Sequence, residues 1–320
     1  MAETKRNLPS APYDDVVDIR NVISLLWSRK WIIVGITFAS AIAAIAVALL
    51  LPNTYRAEAL LAPDDPDRAG GLSSLAAQYG GLASLAGIDL GGKSVDRTDL
   101  ALEILKSRKF ITEFVNDHEI LVDLMAVDGW NPDTGVSKVD PSIYDVDASK
   151  WVREVSPPRG AIPSPQEAYE KFMYFLSVSQ DKVTGFVSIA IEHYSPETAK
   201  QWVDWLAEDL NSSIMQRDVA EAQQAIEYLN EQISNTSLAG LQSVFFSLIE
   251  EQTKTVMLAR MTDEYLLKTL DPAVVPEEKF RPRRALIVIL STMSGFFFSV
   301  LVVLVFGYFG SPESRAGEVQ

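Results

Sequence analysis

Two long apolar segments without charged residues lie at opposite ends of this chain, at residues 31–51 and 285–309. About 20 residues at 1.5 Å each suffice for a helix to cross the roughly 30 Å hydrocarbon core of a bilayer. We therefore predict two transmembrane helices that bracket a large polar domain at residues 52–284. The first segment is longer than a signal-peptide core and follows some 30 residues of polar sequence, which favours a retained anchor over cleavage near Ala44 or Ala46.

Composition excludes several classes of function for the polar domain. The whole formal net charge of −15 falls within residues 52–284, because acidic and basic residues balance outside them. Nucleic acid is an unsuitable partner for so acidic a domain. The chain contains no cysteine and two histidines, which leaves little for disulfides, thiol chemistry or a zinc site. We predict no catalytic, cofactor-binding or metal-binding residues.

Charge near the spans does not decide which side of the membrane holds the domain. Two crossings place both termini on one side, and basic flanks normally mark the cytoplasm. More basic residues flank the spans within the loop than at the termini, which would place the domain inside the cell. Connections longer than about 60 residues, however, translocate largely regardless of charge. The orientation stays open at this point.

The segment before the first span has the pattern of an amphipathic helix. Val16, Ile19, Val22, Ile23 and Leu26 recur at helical spacing with polar residues between them. We predict a helix on the membrane surface within a terminal region of residues 1–30. A short helix in solvent is the alternative.

The first part of the polar domain mixes strand and helix patterns. We expect strands at residues 54–62 and 183–194 and helices at 98–115 and 166–178. Residues 69–92 are rich in Gly, Ala, Ser and Leu, and six prolines between 129 and 165 predict an irregular excursion. Together with residues 265–284, the segment 52–195 is predicted to form an α/β base close to the membrane.

A long helical arm is predicted at residues 196–264. Ser195, Pro196 and Glu197 combine a hydroxyl cap, a proline at the first helical position and a carboxylate at the positive helix end. The apolar spacing that follows predicts a helix of about 40 residues, roughly 60 Å long. A break at 235–240 precedes a second helix that runs through Val256. The second span, residues 285–309, and a tail at 310–320 complete an α+β membrane protein.

Residues 87–94, GIDLGGKS, fit the phosphate-binding pattern G-x4-G-K-[ST]. That mechanism requires a buried strand before the loop and a helix N-terminus after it. The preceding residues, GGLASLA, are poor strand formers, so a glycine-rich structural loop is the default prediction. Adjacent carboxylates such as Glu208 and Asp209 point to different helix faces and indicate solvated surface. For Trp202 and Trp205, packing at the base of the arm is favoured over stacking on sugar rings.

Both spans carry small residues at four-residue spacing, which allows close helix packing. They are Gly35, Ala39 and Ala43 in the first span and Ser291, Gly295 and Ser299 in the second. Pro272, Pro276 and Pro282 precede the second span. They are expected to keep the entering chain extended and to stop a domain helix from continuing into the membrane.

Several of these segments together resemble the Wzz-type chain-length determinants, or polysaccharide co-polymerases. The similarity covers the layout of span, domain and span, the proline-rich approach PAVVPEEKFRPRRALIVIL and the lead DIRNVISLLWSRKWII. It extends to GGLASLAGIDLGG, ALEILKSRKF and VSIAIEHYSPETAKQWVDWLAEDLN. The sequence departs from the family where a GxxxG pattern becomes Ser291-x3-Gly295-x3-Ser299.

The resemblance implies an inner-membrane protein with cytoplasmic termini and a periplasmic domain that assembles into a ring-like or bell-shaped homo-oligomer. Such proteins are not enzymes and set the chain length of O-antigen or a related glycan. The implied partners are the polymerase, a lipid-linked glycan and the bilayer, without a cofactor. Eleven residues follow the second span, so a kinase is expected to be a separate protein. The alternatives are an export subunit that works with a separate kinase or ATPase, and an ATP-binding enzyme.

Overall fold

The computed structural model describes residues 19–63, 97–235, 239–262 and 264–309. These fall into two compact units. One comprises the residues up to Leu51 with those from Pro282 onward, and the other comprises Pro52–Arg281. Helices dominate a mixed α and β architecture with two candidate membrane helices, which confirms the predicted α+β class.

The described helices are numbered here in chain order. They are α1 Ile19–Ser28, α2 Lys30–Leu50, α3 Arg97–Leu105, α4 Arg108–Asp117, α5 Leu121–Met125, α6 Pro165–Phe175, α7 Pro196–Asn235, α8 Ala239–Met261 and α9 Arg284–Phe309. Helix α2 and the part Arg284–Phe306 of α9 are candidate membrane helices with mean hydropathies of 2.6 and 2.4, at the positions predicted for the spans.

Four strands form the main sheet and four more form two small hairpins. The strands are β1 Tyr55–Pro63, β2 Val127–Asn131, β3 Val136–Val139, β4 Tyr144–Asp145, β5 Lys150–Trp151, β6 Leu176–Gln180, β7 Val187–His193 and β8 Leu267–Asp271. The main sheet has the order β6-β7-β1-β8 with every neighbouring pair antiparallel. Strands β2 and β3 pair together, as do β4 and β5.

One core is built where α7 crosses the sheet. Alternation along β1 buries Ala57, Ala59 and Leu61, and most of β7 is buried. Against them α7 packs Trp202, Val203, Leu206, Leu210 and Ile214, which are all buried in the same cluster. Each fully buried Leu or Ile contributes about 1.5–3 kcal/mol. The division between base and arm at residue 196 stays a prediction, although the core extends along α7 as far as Ile214.

The predicted strand at 54–62 is confirmed by β1, but the single helix predicted at 98–115 is wrong. Two helices, α3 and α4, replace it. Ser107 adopts an extended conformation, and its side chain accepts a hydrogen bond from the backbone N–H of Phe110 at 3.2 Å. A serine that caps a new helix ends the preceding one, and the apolar spacing alone did not reveal this break.

The helix predicted at 166–178 ends earlier, at Phe175. Residues from Leu176 onward form β6, because they pair with β7 in the register Leu176↔Ile191 and Val178↔Ile189. The strand predicted at 183–194 is likewise shorter. Asp181 accepts hydrogen bonds from the backbone N–H groups of Val183 and Thr184, which forms a turn before β7.

The predicted helix start at Ser195 is confirmed, since its hydroxyl accepts a hydrogen bond from the N–H of Thr198 at 3.3 Å. Helix α7 has 40 residues, as expected. Of the break predicted at 235–240, residues 236–238 lie outside the described residues, and α8 is described from Ala239. Helices α7 and α8 pack against each other, with Ala222 and Ala259 buried.

A buried asparagine joins α7 to β8, a strand that the sequence pattern did not reveal. The side-chain oxygen of Asn211 accepts hydrogen bonds from the N–H groups of Leu266 and Leu267, at 3.0 and 2.9 Å. Its amide donates to the carbonyl of Leu267 at 2.9 Å. One polar side chain therefore satisfies three buried backbone groups at the start of β8.

Another contact joins the beginning and the end of the unit Pro52–Arg281. The N–H of Thr54 donates to the carbonyl of Arg281, and the N–H of Phe280 donates to the carbonyl of Thr54, both at 2.8 Å. Between β8 and α9 this is the one bridge that the described backbone forms, and no helix occurs there. The stretch contains Pro272, Pro276 and Pro282. Their predicted part in the approach to the second span stays a prediction.

His193 is fully buried and held as a neutral ring. Its Nδ1 accepts a hydrogen bond from the N–H of Ser195 at 3.1 Å, so Nε2 carries the proton and faces the carbonyl of Asp123 at 3.3 Å. Burial is the main cause that lowers the pKa of His193 from 6.5 to about 4, and the charge of Lys171 adds to it. The folded domain therefore resists protonation at this position.

We predict that Asn211→Leu lowers the free energy of unfolding by roughly 3 kcal/mol, because each buried backbone group left unpaired costs about 1–3 kcal/mol. Denaturant unfolding of the detergent-solubilised chain, followed by tryptophan fluorescence, measures this change. Asn230→Leu is the matched control, since Asn230 is exposed on the same helix. Equal stability of the two variants would contradict the anchoring role of Asn211.

We also predict that His193 makes the folded state less stable in acid. Below pH 6.5 the unfolded chain binds a proton at this residue, whereas the folded chain does so only near pH 4. The free energy of unfolding should therefore fall as pH is lowered through this window. His193→Asn places an amide oxygen where Nδ1 lies but does not titrate, so its dependence on pH should be shallower. Identical slopes for the variant and the parent would refute the assignment.

Candidate assembly surfaces

The chemical candidates from the sequence do not converge on a reactive site. The phosphate-loop pattern at 87–94 and the residues before Ile19 lie outside the described residues. Among the residues that the structure does describe, no group of three or more His, Asp or Glu side chains is placed to hold a metal ion. Asp209 contacts His118 Nε2 at 2.8 Å, while Glu250 and Glu251 are exposed on α8.

Trp202 and Trp205, for which packing was predicted, both pack near the N-terminal end of α7. Trp202 is fully buried and stacks on Phe172, with ring centroids 5.7 Å apart. Trp205 stacks on His118 with centroids 4.1 Å apart and an interplanar angle of 10°. Packing, rather than an open sugar-stacking platform, is therefore confirmed for this pair.

Helices α2 and α9 form a close hairpin within the first unit. A Cβ atom built on Gly295 would lie 2.5 Å from both Cβ and Oγ of Ser40, so only glycine fits there without movement of one helix. The hydroxyl of Ser40 donates to the carbonyl of Ser291 at 3.0 Å, and Arg284 Nε donates to the carbonyl of Ala48 at 3.0 Å. Small residues and two hydrogen bonds thus hold this hairpin together.

The structure places the two predicted small-residue stripes differently. On α9, Ser291 and Gly295 meet α2, and Ser299 is completely buried. On α2, the buried positions are Ala44 and Ala48 instead. Gly35, Ala39 and Ala43 are exposed, and no atom lies within 4 Å of the position of a Cβ on Gly35. Their predicted role in packing between helices stays a prediction.

Helix α8 carries exposed apolar side chains that were not predicted from the sequence. Six large apolar side chains on this helix are between 40% and 77% exposed: Val244, Phe246, Leu248, Met257, Leu258 and Met261. At 3.6 residues per turn these side chains lie on two sides of the helix, and large exposed apolar side chains in such number often mark a protein interface. We refer to these six residues as the α8 apolar surface. The sequence could have indicated this surface, because α8 contains more apolar residues than one helix face that contacts α7 requires.

An arginine clamp orders the proline-rich excursion beside α6. Arg153 donates from Nη1 and Nη2 to the two carboxylate oxygens of Glu167, at 3.0 and 2.8 Å. It also donates to the carbonyls of Gly160 and Ala161. Glu167 in turn forms a capping box with Ser164. The guanidinium of Arg153 is the main cause that lowers the pKa of Glu167 to about 2.

Two parts of the chain match known protein families. Residues 15–118 match the Wzz family, described as chain length determinant protein, and residues 241–306 match GNVR, described as a G-rich domain on putative tyrosine kinase. No curated protein sequence matches the chain.

Two solved structures are similar to it. A full-length bacterial polysaccharide co-polymerase is 12% identical, and the match covers 93% of this chain and 100% of that one with a TM-score of 0.39. A fragment of WzzB, a polysaccharide co-polymerase from Salmonella Typhimurium, is 12% identical, with coverage of 72% and 100% and a TM-score of 0.25.

The matched segment at 15–118 includes the lead DIRNVISLLWSRKWII and the segments GGLASLAGIDLGG and ALEILKSRKF, which are three of the segments that indicated the resemblance. Residues 15–118 therefore match the chain length determinant family, and the resemblance to the Wzz-type polysaccharide co-polymerases is confirmed.

Proposed function

We propose that this chain is a non-enzymatic regulator that sets the length of a surface polysaccharide, the O-antigen of lipopolysaccharide or a related glycan. The observation that carries the proposal is the chain length determinant domain at residues 15–118. The two groups with strongly shifted pKa values support a non-catalytic role. His193 binds backbone groups and Glu167 binds an arginine and a helix N-terminus, which are structural uses.

The proposed location is the bacterial inner membrane, with both termini in the cytoplasm and residues 52–284 in the periplasm. Two helices with the length and apolarity of membrane spans support two crossings. The orientation rests on the resemblance to the Wzz-type proteins, because the charges near the spans leave it open. Within the domain we propose the base at 52–195 and 265–284 and the arm at 196–264.

The proposed mechanism is assembly with the polymerase rather than chemistry. Homo-oligomers of this chain, with a ring or bell shape, would present a surface of fixed size to the polymerase and its lipid-linked glycan. Two exposed surfaces support contacts between copies, namely the face of Gly35, Ala39 and Ala43 on α2 and the α8 apolar surface. The contact of Gly295 with Ser40 would hold each hairpin in the shape that assembly requires.

A second candidate function has its own support. Residues 241–306 match the G-rich domain on putative tyrosine kinase, and this favours a subunit of capsule or exopolysaccharide export that works with a separate cytoplasmic kinase or ATPase. The two functions differ in what happens to the polymer when the protein is missing.

We predict that deletion of the gene leaves the surface polysaccharide in place but removes its preferred length. Gel electrophoresis of the polysaccharide should show a ladder that changes from a modal to a random distribution. Total loss of the polymer would instead support the export subunit. An unchanged ladder would reject both functions.

We predict that Gly295→Leu reduces the mass of the detergent-solubilised oligomer, measured by light scattering. Overpacking against Ser40 costs about 1–3 kcal/mol and forces the hairpin apart. Gly35→Leu adds the same bulk where the chain itself leaves open space. It should reduce the oligomer mass only if the face of Gly35 contacts a second copy. An unchanged mass for Gly295→Leu would count against the role of the hairpin in assembly.

A further inference from the structure

An open groove of about 590 Å³ lies beside α6, on the side of the arginine clamp. Its volume is within the range of about 300–1,000 Å³ that is typical of small-molecule sites. The side chains that matter for its chemistry are Arg159, Glu170, Lys171, Tyr174 and Tyr194. They come from the proline-rich excursion, from α6 and from the residue that follows β7, so the fold alone brings them together.

Lys171 is a half-buried cation with no carboxylate partner in the part of the chain that the structure describes. Its Nζ lies 5.1 Å from the ring centroid of Phe175 and 6.0 Å from that of Tyr174. Burial lowers the pKa of this amine below its ordinary value. The domain has a large excess of carboxylates, yet none of the described ones forms an ion pair with this partly desolvated ammonium group. This favours the binding of an external anion at Lys171.

The second cation of the groove, Arg159, is also weakly engaged. It is 63% exposed, and its Nε lies 3.8 Å from Glu167, whose two oxygens already accept hydrogen bonds from Arg153. The guanidinium can therefore turn toward a ligand without breaking the clamp. An arginine and a lysine at one groove are suited to a carboxylate or a phosphate.

The remaining groups favour a sugar over a simple anion. The ring of Tyr174 is 75% exposed at the groove, and the negative face of an aromatic ring attracts the C–H groups of a sugar. Glu170 is an exposed carboxylate that binds Gln166 at 2.6 Å through one oxygen. Its other oxygen and the hydroxyl of Tyr194 are suited to pair with sugar hydroxyls. Glu170 would repel a bare anion but accept hydrogen bonds from a polyol.

We propose that this groove binds a uronic acid residue of a glycan, with its carboxylate at Lys171 and Arg159 and its ring on Tyr174. This inference rests on the proposed function for its source of ligand, the polysaccharide whose length the protein sets. It adds a direct contact between that polymer and the face of α6.

The test is isothermal titration of the full-length chain in detergent with a hexasaccharide of linked galacturonic acid. The neutral, carboxyl-reduced hexasaccharide and inorganic phosphate are titrated in parallel. We expect the acidic sugar to bind, and Lys171→Met and Tyr174→Ala each to raise Kd about tenfold or more. The other two probes should bind at least about tenfold more weakly than the acidic sugar.

Matched controls are available on the same domain. Lys182→Met removes an exposed lysine in the turn before β7, and Tyr228→Ala removes a tyrosine that is 62% exposed on α7. Neither should change the affinity. Methionine keeps the apolar stem that Lys171 packs near Phe175, and Tyr174 is mostly exposed, so both test variants should fold, which their unfolding curves check.

Each contrary outcome overturns either this proposal or the proposed function. Equal binding of the neutral sugar would show that Lys171 and Arg159 do not recognise the carboxylate. Equal binding of phosphate would show that the groove recognises an anion and not a sugar. Loss of oligomer mass in Lys171→Met would identify the groove as a contact between copies. Absence of sugar binding with a ladder that still collapses on gene deletion would overturn this inference alone. Sugar binding with a ladder unchanged by deletion would overturn the proposed function alone.

Discussion

A chain with an apolar helix near each end must bring the residues that follow the first helix back to those that precede the second. In the unit Pro52–Arg281 this closure is made by backbone hydrogen bonds between Thr54 and residues 280 and 281. It continues through β1, which lies between β7 and β8 in an antiparallel sheet. The pairing of β1 with β8 therefore joins residues some 200 positions apart, and α7 packs on β1 and β7 beside it.

Helix α7 contacts both the sheet and α8, because its 40 residues extend beyond the four-stranded sheet. Its first half buries Trp202 and Leu206 against the sheet, and its second half packs with α8. Asn211 lies at the transition and supplies backbone-like hydrogen bonds to the start of β8. Residues 266 and 267, which follow α8, are thereby fixed to α7.

Several polar side chains of the domain hold backbone segments in place. Arg153 and Glu167 order the excursion beside α6, and His193 holds the turn into α7 as a neutral ring. The groove at Lys171 differs, because it leaves a half-buried cation facing open space. We propose this groove as a contact for a charged glycan.

The sequence by itself determined the two spans, the start and length of α7, β1 and the resemblance to the Wzz-type proteins, since hydropathy, capping and periodicity are local properties of the chain. It also indicated the small-residue stripe of α9, because Ser291 and Gly295 are spaced for one helix face. Only the tertiary structure decided that α3 and α4 are separate helices, that residues after Phe175 form a strand, and that α2 contacts α9 through Ser40, Ala44 and Ala48. On α2 two stripes of small residues have the same four-residue spacing, and only the position of a partner helix distinguishes them. The same reason hid β8 and the groove at Lys171, which exist only because distant segments meet.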